Sequence, residues 1–139
     1  MFNIKNLALQ LVENHLHAPQ KVAPLGAAGV AVVSAAGAWN LGNFSNDIIA
    51  AGAETEPFDL HGVDIEAPSA NASYEIVFYF GAVDTECGRA TFTRTNPTTV
   101  SRSTTLMTHI IPAGSRVRAK MRDSVGASSC TVKVWYHNY

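Results

Sequence analysis

Polar and apolar residues alternate with a period of two through much of this chain, the spacing of strands with one wet and one buried face. The clearest case lies near the end. Arg116, Arg118, Lys120 and Arg122 alternate with Val117, Ala119 and Met121. Further on, Cys130, Val132, Val134 and Tyr136 fall opposite Thr131, Lys133, Trp135 and His137. The Ser- and Gly-containing stretch from Asp123 to Ser129 predicts a turn between them, so Arg116 to Tyr136 is expected to form a closing hairpin whose register the long loop leaves open.

Earlier segments repeat the rule. Phe58 and Leu60 share one parity, then Gly62 intervenes and the apolar positions shift to Val63 and Ile65, which predicts a bulge at Gly62 that keeps both pairs inward. Tyr74, Ile76, Phe78 and Phe80 are apolar on one face while Val77 and Tyr79 add apolar area to the other, the mark of a central or covered strand. Cys87 to Arg94 alternates again, and Arg102 to Ile111 has a Thr- and Ile-rich β composition that stops at the turn Pro112-Ala113-Gly114-Ser115. Ala38 to Phe44 and Asp47 to Ala51 read as short sheet segments. The fold expected is all-β, an antiparallel β-sandwich of jelly-roll-like kind with about eight strands.

Only the opening residues follow a helical period. Ile4, Leu7, Ala8, Leu11, Val12 and Leu16 form one stripe, with Asn3 as a candidate N-cap and Pro19 beyond the last turn. A helix this short is marginal alone, so the stripe is expected to cover an open end of its own domain or to reach a neighbouring subunit. From Gln20 to Gly37 the chain is rich in Ala, Gly, Val and Pro with Lys21 as its one charge, an extended arm with room for a short strand at Val30 to Val33. The expected organisation is therefore helix and arm over 1–37 and a β-sandwich domain over 38–139.

Composition sharpens this picture. Charged residues make up 15% of the chain and apolar residues 47%, which points to surface that other subunits cover. The net charge of −1 conceals an asymmetry: residues 1–86 carry two basic against ten acidic side chains, and residues 87–139 carry eight basic against one acidic. The two sets either neutralise each other on one surface or polarise it for docking. Two cysteines, Cys87 and Cys130, are too few for a disulfide framework and are expected as free thiols. No apolar run is long enough for a membrane-spanning helix. No secretory leader is recognised, so synthesis in a cytoplasm is expected.

Candidate chemistry is sparse. His15 and His17 lie two apart on the predicted helix and point in different directions, which disfavours a shared metal. Asp59 and His61 share a strand face and can hydrogen-bond, a pairing expected to be structural. Asp84-Thr85-Glu86 offers too few oxygens for calcium and is expected to be solvated. Neither a Gly-flanked serine nor a cysteine beside a recognisable base is present, nor a phosphate-cradling loop leading into a helix. An enzyme is therefore not expected, and neither a cofactor nor a metal. The basic stripe Arg116, Arg118, Lys120 and Arg122 is the best polyanion candidate, but no aromatic-lined groove accompanies it, so nucleic acid is disfavoured and an acidic protein partner is the simpler reading.

Several segments resemble the head decoration, or cement, proteins of tailed bacteriophages. They are Pro57-Phe58-Asp59-Leu60-His61, Ala70 to Glu75, Asp84 to Arg89, Ile110 to Arg118, Val134 to Tyr139 and Ala38 to Gly42. The resemblance implies a β-sandwich subunit, often trimeric, that sits on the capsid exterior of a virion and braces junctions between major capsid protein subunits. On that reading Ile4, Leu7, Leu11 and Val12 would supply apolar contact and Arg116, Arg118, Lys120 and Arg122 would orient docking. The rival expectation is a tail or fibre module binding a host glycan or receptor, with Trp135 and Tyr139 available to stack on sugar rings.

Overall fold

The computed structural model describes residues 20–26, 28–97 and 101–139. The described residues form eight strands and no helix: β1 (Lys21–Ala23), β2 (Val30–Val33), β3 (Phe58–Glu66), β4 (Ser73–Phe80), β5 (Thr85–Thr93), β6 (Ser101–Thr105), β7 (Val117–Asp123) and β8 (Ser129–Asn138). The helix expected over the stripe from Ile4 to Leu16 lies outside them.

All pairings are antiparallel, in two sheets. β1 and β2 both line one edge of β8, β3 takes its other edge, and β6 closes the far side of β3; the second sheet has the order β5-β4-β7. Inward residues of both sheets meet in one core: Val32, Phe58, Val63 and Val134 from the first, Tyr74, Ile76, Phe78 and Met121 from the second. Each such side chain stabilises the fold by roughly 1.5–3 kcal/mol relative to leaving it in water. Tyr74 stacks on Phe92 with ring centroids 4.5 Å apart and spends its hydroxyl on the backbone of Ala70, donating to the carbonyl at 2.6 Å and accepting from the amide at 3.0 Å.

Several sequence expectations hold. The register between β3 and β8 shifts between Leu60 and Gly62, so the bulge lies at His61-Gly62, and Phe58, Leu60, Val63 and Ile65 are all buried. β4 is the central strand of its sheet, with Val77 buried on the outer side as well. β2 falls on Val30 to Val33.

The closing hairpin does not form. β7 pairs with β4 and β8 pairs with β3, so the two arms lie in different sheets and face each other across the core, where the Cys130 thiol meets the Met121 sulfur at 3.4 Å. Both edges of β8 are already taken, one by β3 and the other by β1 and β2, which leaves β7 no place beside it. The turn that hands the chain over is organised by Asp123, fully buried at the end of β7. Its carboxylate accepts the amides of Val125 at 2.8 Å and Gly126 at 2.6 Å together with the hydroxyl of Ser34. Burial pushes its pKa up, but these donors outweigh burial and hold it below the ordinary carboxylate range. Gly126, at φ +86°, lets the turn lie against the arm: a Cβ there would fall 2.5 Å from the Gly37 amide nitrogen.

Ala38 to Phe44 and Asp47 to Ala51 are not the regular sheet segments their composition implies. Instead the amides of Trp39, Gly42, Ser45 and Ile48 donate to the carbonyls of Asp123, Met121, Ala119 and Val117, at 2.6, 2.9, 2.8 and 2.7 Å. Three residues of this strap match two of β7, a mismatch no regular strand sustains, yet it satisfies the open edge of β7 and shields it from further pairing. Likewise β6 ends at Thr105 rather than Ile111, and the chain follows β3 irregularly through bonds from Leu106 to His61, from Thr108 to Leu60 and between Ile111 and Phe58.

Candidate functional site

The basic stripe lies on the outer face of the three-stranded sheet. Register places Arg122, Lys120 and Arg118 of β7 beside Glu75, Val77 and Tyr79 of β4, with Thr91, Arg89 and Glu86 of β5 on the other flank. Arg118 Nε donates to Asp84 Oδ1 at 2.7 Å, and Arg116 reaches the same carboxylate at 3.4 Å. Arg122 Nε and Arg89 Nη1 converge on Glu75 Oε1 at 2.8 and 3.0 Å, while Arg89 also grips Glu86 through two bonds of 2.6 and 2.9 Å. Phe44, carried in by the strap, lies under the Arg118 guanidinium at 3.9 Å and the Lys120 ammonium at 4.2 Å, and meets Tyr79 edge-on at 5.1 Å.

Three acids of the first part of the chain, Glu75, Asp84 and Glu86, thus meet four arginines of the second part across this sheet, so the asymmetry is partly neutralised here. Hydrogen bonding from Arg118 holds Asp84 below its ordinary pKa, and Arg89 does the same for Glu86. Of the segment expected to be solvated, Glu86 is exposed while paired with Arg89, and Asp84 is half-buried and held by Arg116 and Arg118. Among the described residues, Lys120 alone in the stripe makes no carboxylate contact. The four apolar candidates Ile4, Leu7, Leu11 and Val12 lie outside the described residues.

A second constellation occupies the outer face of the five-stranded sheet. Pairing of β3 with β8 sets Asp59 opposite His137, and the bulge puts His61 beside them. His61 Nε2 lies 2.7 Å from Asp59 Oδ1 and 3.0 Å from His137 Nδ1, with the two imidazole centroids 4.2 Å apart. The Tyr139 hydroxyl donates to the other Asp59 oxygen at 2.5 Å; burial, then that bond, pushes its pKa up to about 12. Asp59 and His137 are each 8% exposed. Next to them is a recess of about 320 Å³ lined by Gln20, His61, Asp64, Ser103 and Trp135, where the Trp135 indole donates to Asp64 at 2.8 Å. Asp59 and His61 are readable as a pair in sequence; His137 is not, because only strand register joins positions 76 residues apart.

Glu54 anchors the first strand to the last. It accepts from Lys21 at 3.0 Å, Tyr136 at 2.6 Å and Asn138 at 2.7 Å. Burial pushes its pKa up, and the three donors more than offset this and hold it low. Cys87 and Cys130 are free, with thiols pushed up to about 12 by burial, so both are poor nucleophiles. No helix among the described residues is long and apolar enough to cross a membrane. No protein-family model matches the chain, and no curated protein is similar to it.

Proposed function

We propose that this chain is a structural virion protein, a decoration subunit that binds the outer surface of a tailed-bacteriophage capsid and stabilises the lattice of its major capsid protein. In this reading the two sheets are the layers of a jelly-roll-like sandwich, the subunit assembles as a homotrimer in the host cytoplasm or on the shell, and it performs no covalent chemistry. The observation that carries the proposal is apolar surface left open on the arm and strap: Val33 is 51% exposed, Trp39 47% and Leu41 40%, with Val33 and Leu41 lining one groove. Exposed apolar side chains such as these are what a neighbouring subunit covers. The resemblance in the segments from Pro57 to His61 and from Ile110 to Arg118 supports the same reading. Such a subunit acts by mass action, binding the assembled lattice and not its separated parts, with many repeated contacts adding up.

A tail or fibre module that binds a host glycan is the second reading, favoured by the recess in which the Trp135 ring stands beside Asp64 and Ser103. One experiment separates the two. Purified protein is mixed with expanded empty capsids of the virus that encodes it and with host cells. Sedimentation with capsids and a raised capsid melting temperature are expected; binding to cells and not to capsids would favour the glycan reading and overturn the first.

A further inference from the structure

We propose that Asp59, His61 and His137 bind a single first-row divalent cation of the zinc class. Asp59 Oδ1, His61 Nε2 and His137 Nδ1 are separated by 2.7 Å and 3.0 Å along the chain of contacts, and one ligand atom from each of the three residues lies within 4.8 Å of the others. A cation about 2.1 Å from each donor needs donor separations of roughly 3.0 to 3.4 Å, so small rotations bring the set onto one ion.

Three further features favour a cation here. The donors stand on β3 and β8, hydrogen-bonded neighbours in the middle of a sheet, so their positions are set by strand pairing and by the bulge at His61 rather than by a loop. Tyr139 holds the second oxygen of Asp59, the outer-shell bond that orients a carboxylate ligand. His61 is the most open of the three, its side chain 21% exposed, and borders the Trp135 recess, which gives an ion a way in and leaves coordination positions for water. Two imidazoles and one carboxylate suit zinc, nickel or cobalt over calcium or magnesium. A bound ion would staple the C-terminal end of β8 to the start of β3. This goes beyond the decoration role and holds for either functional reading.

The test uses the full chain, stripped with EDTA and titrated with zinc chloride alone by calorimetry. One ion per chain is expected, with a melting temperature raised by about 9 °C at zinc a hundredfold above its dissociation constant. His61→Ala and His137→Gln should abolish this binding, Tyr139→Phe should weaken it about tenfold or more, and a His15→Ala/His17→Ala double variant should bind like the parent. Should His137→Gln fail to fold, imidazole NMR of the parent protein decides, since zinc must shift His61 and His137 and leave His109 unmoved. Absence of saturable binding, or binding that survives His61→Ala, overturns the proposal.

Discussion

The two outer sheet faces hold ionisable side chains in opposite ways. On the three-stranded sheet every arginine of the stripe has a carboxylate within the same face, and Asp84, Glu75 and Glu86 are consumed by Arg116, Arg118, Arg122 and Arg89. On the five-stranded sheet two imidazoles and a carboxylate lie together, linked by hydrogen bonds. A network of opposite charges holds its own sheet in register. A cluster of two imidazoles and one carboxylate has a donor set that suits a cation of the zinc class. Local charge density points to the basic stripe; strand pairing adds that its arginines are held by carboxylates of the same sheet and that a second cluster lies on the other.

The largest effect is expected at the seam between the faces. Asp123→Ala leaves the Val125 and Gly126 amides and the Ser34 hydroxyl without their buried acceptor, and should cost about 3 kcal/mol in urea denaturation. A loss under about 0.5 kcal/mol would show that the handover from β7 to β8 does not depend on this carboxylate.

Acid should have the next largest effect. Glu54, Asp84, Glu86 and Asp123 all have folded pKa values depressed below their ordinary 4.5 or 3.8. Their contribution is therefore fully present above those values and is lost as pH falls through the lower folded ones. The metal-free melting temperature should owe no change to these four carboxylates between about pH 7 and pH 5 and should fall as pH drops below about 4. A melting temperature that stays level to about pH 2 would show that these carboxylates are not held as their contacts imply.

The smallest change is expected within the charged network. Glu75→Gln keeps an acceptor oxygen but removes the negative charge shared by Arg89 and Arg122, and should cost about 1 kcal/mol at low salt, shrinking as salt rises. A salt-independent loss would mean that packing over Val77, not charge, sets the effect.

Much of the strand content was readable along the chain. Inward positions of β3, β4, β7 and β8, the bulge beside Gly62 and the strand at Val30 to Val33 follow from period-two alternation, because a strand with one buried face cannot slip by a residue without turning that face to water. Ala38 to Phe44 and Asp47 to Ala51 read as sheet segments because their composition and alternation resemble a strand, while the bonds of Trp39, Gly42, Ser45 and Ile48 to β7 advance three residues for every two.

Sequence by itself settled which residues of β3, β4, β7 and β8 face inward, since that depends only on neighbours along the chain. Only the tertiary structure decided which strands lie side by side. The alternation of β7 and β8 fits a hairpin and two opposed strands equally well, and occupation of both β8 edges by β1, β2 and β3 chose between them. The same long-range choice neutralised the basic stripe and brought His137 to Asp59 and His61, because side chains far apart in sequence become neighbours only once strand order and register are set.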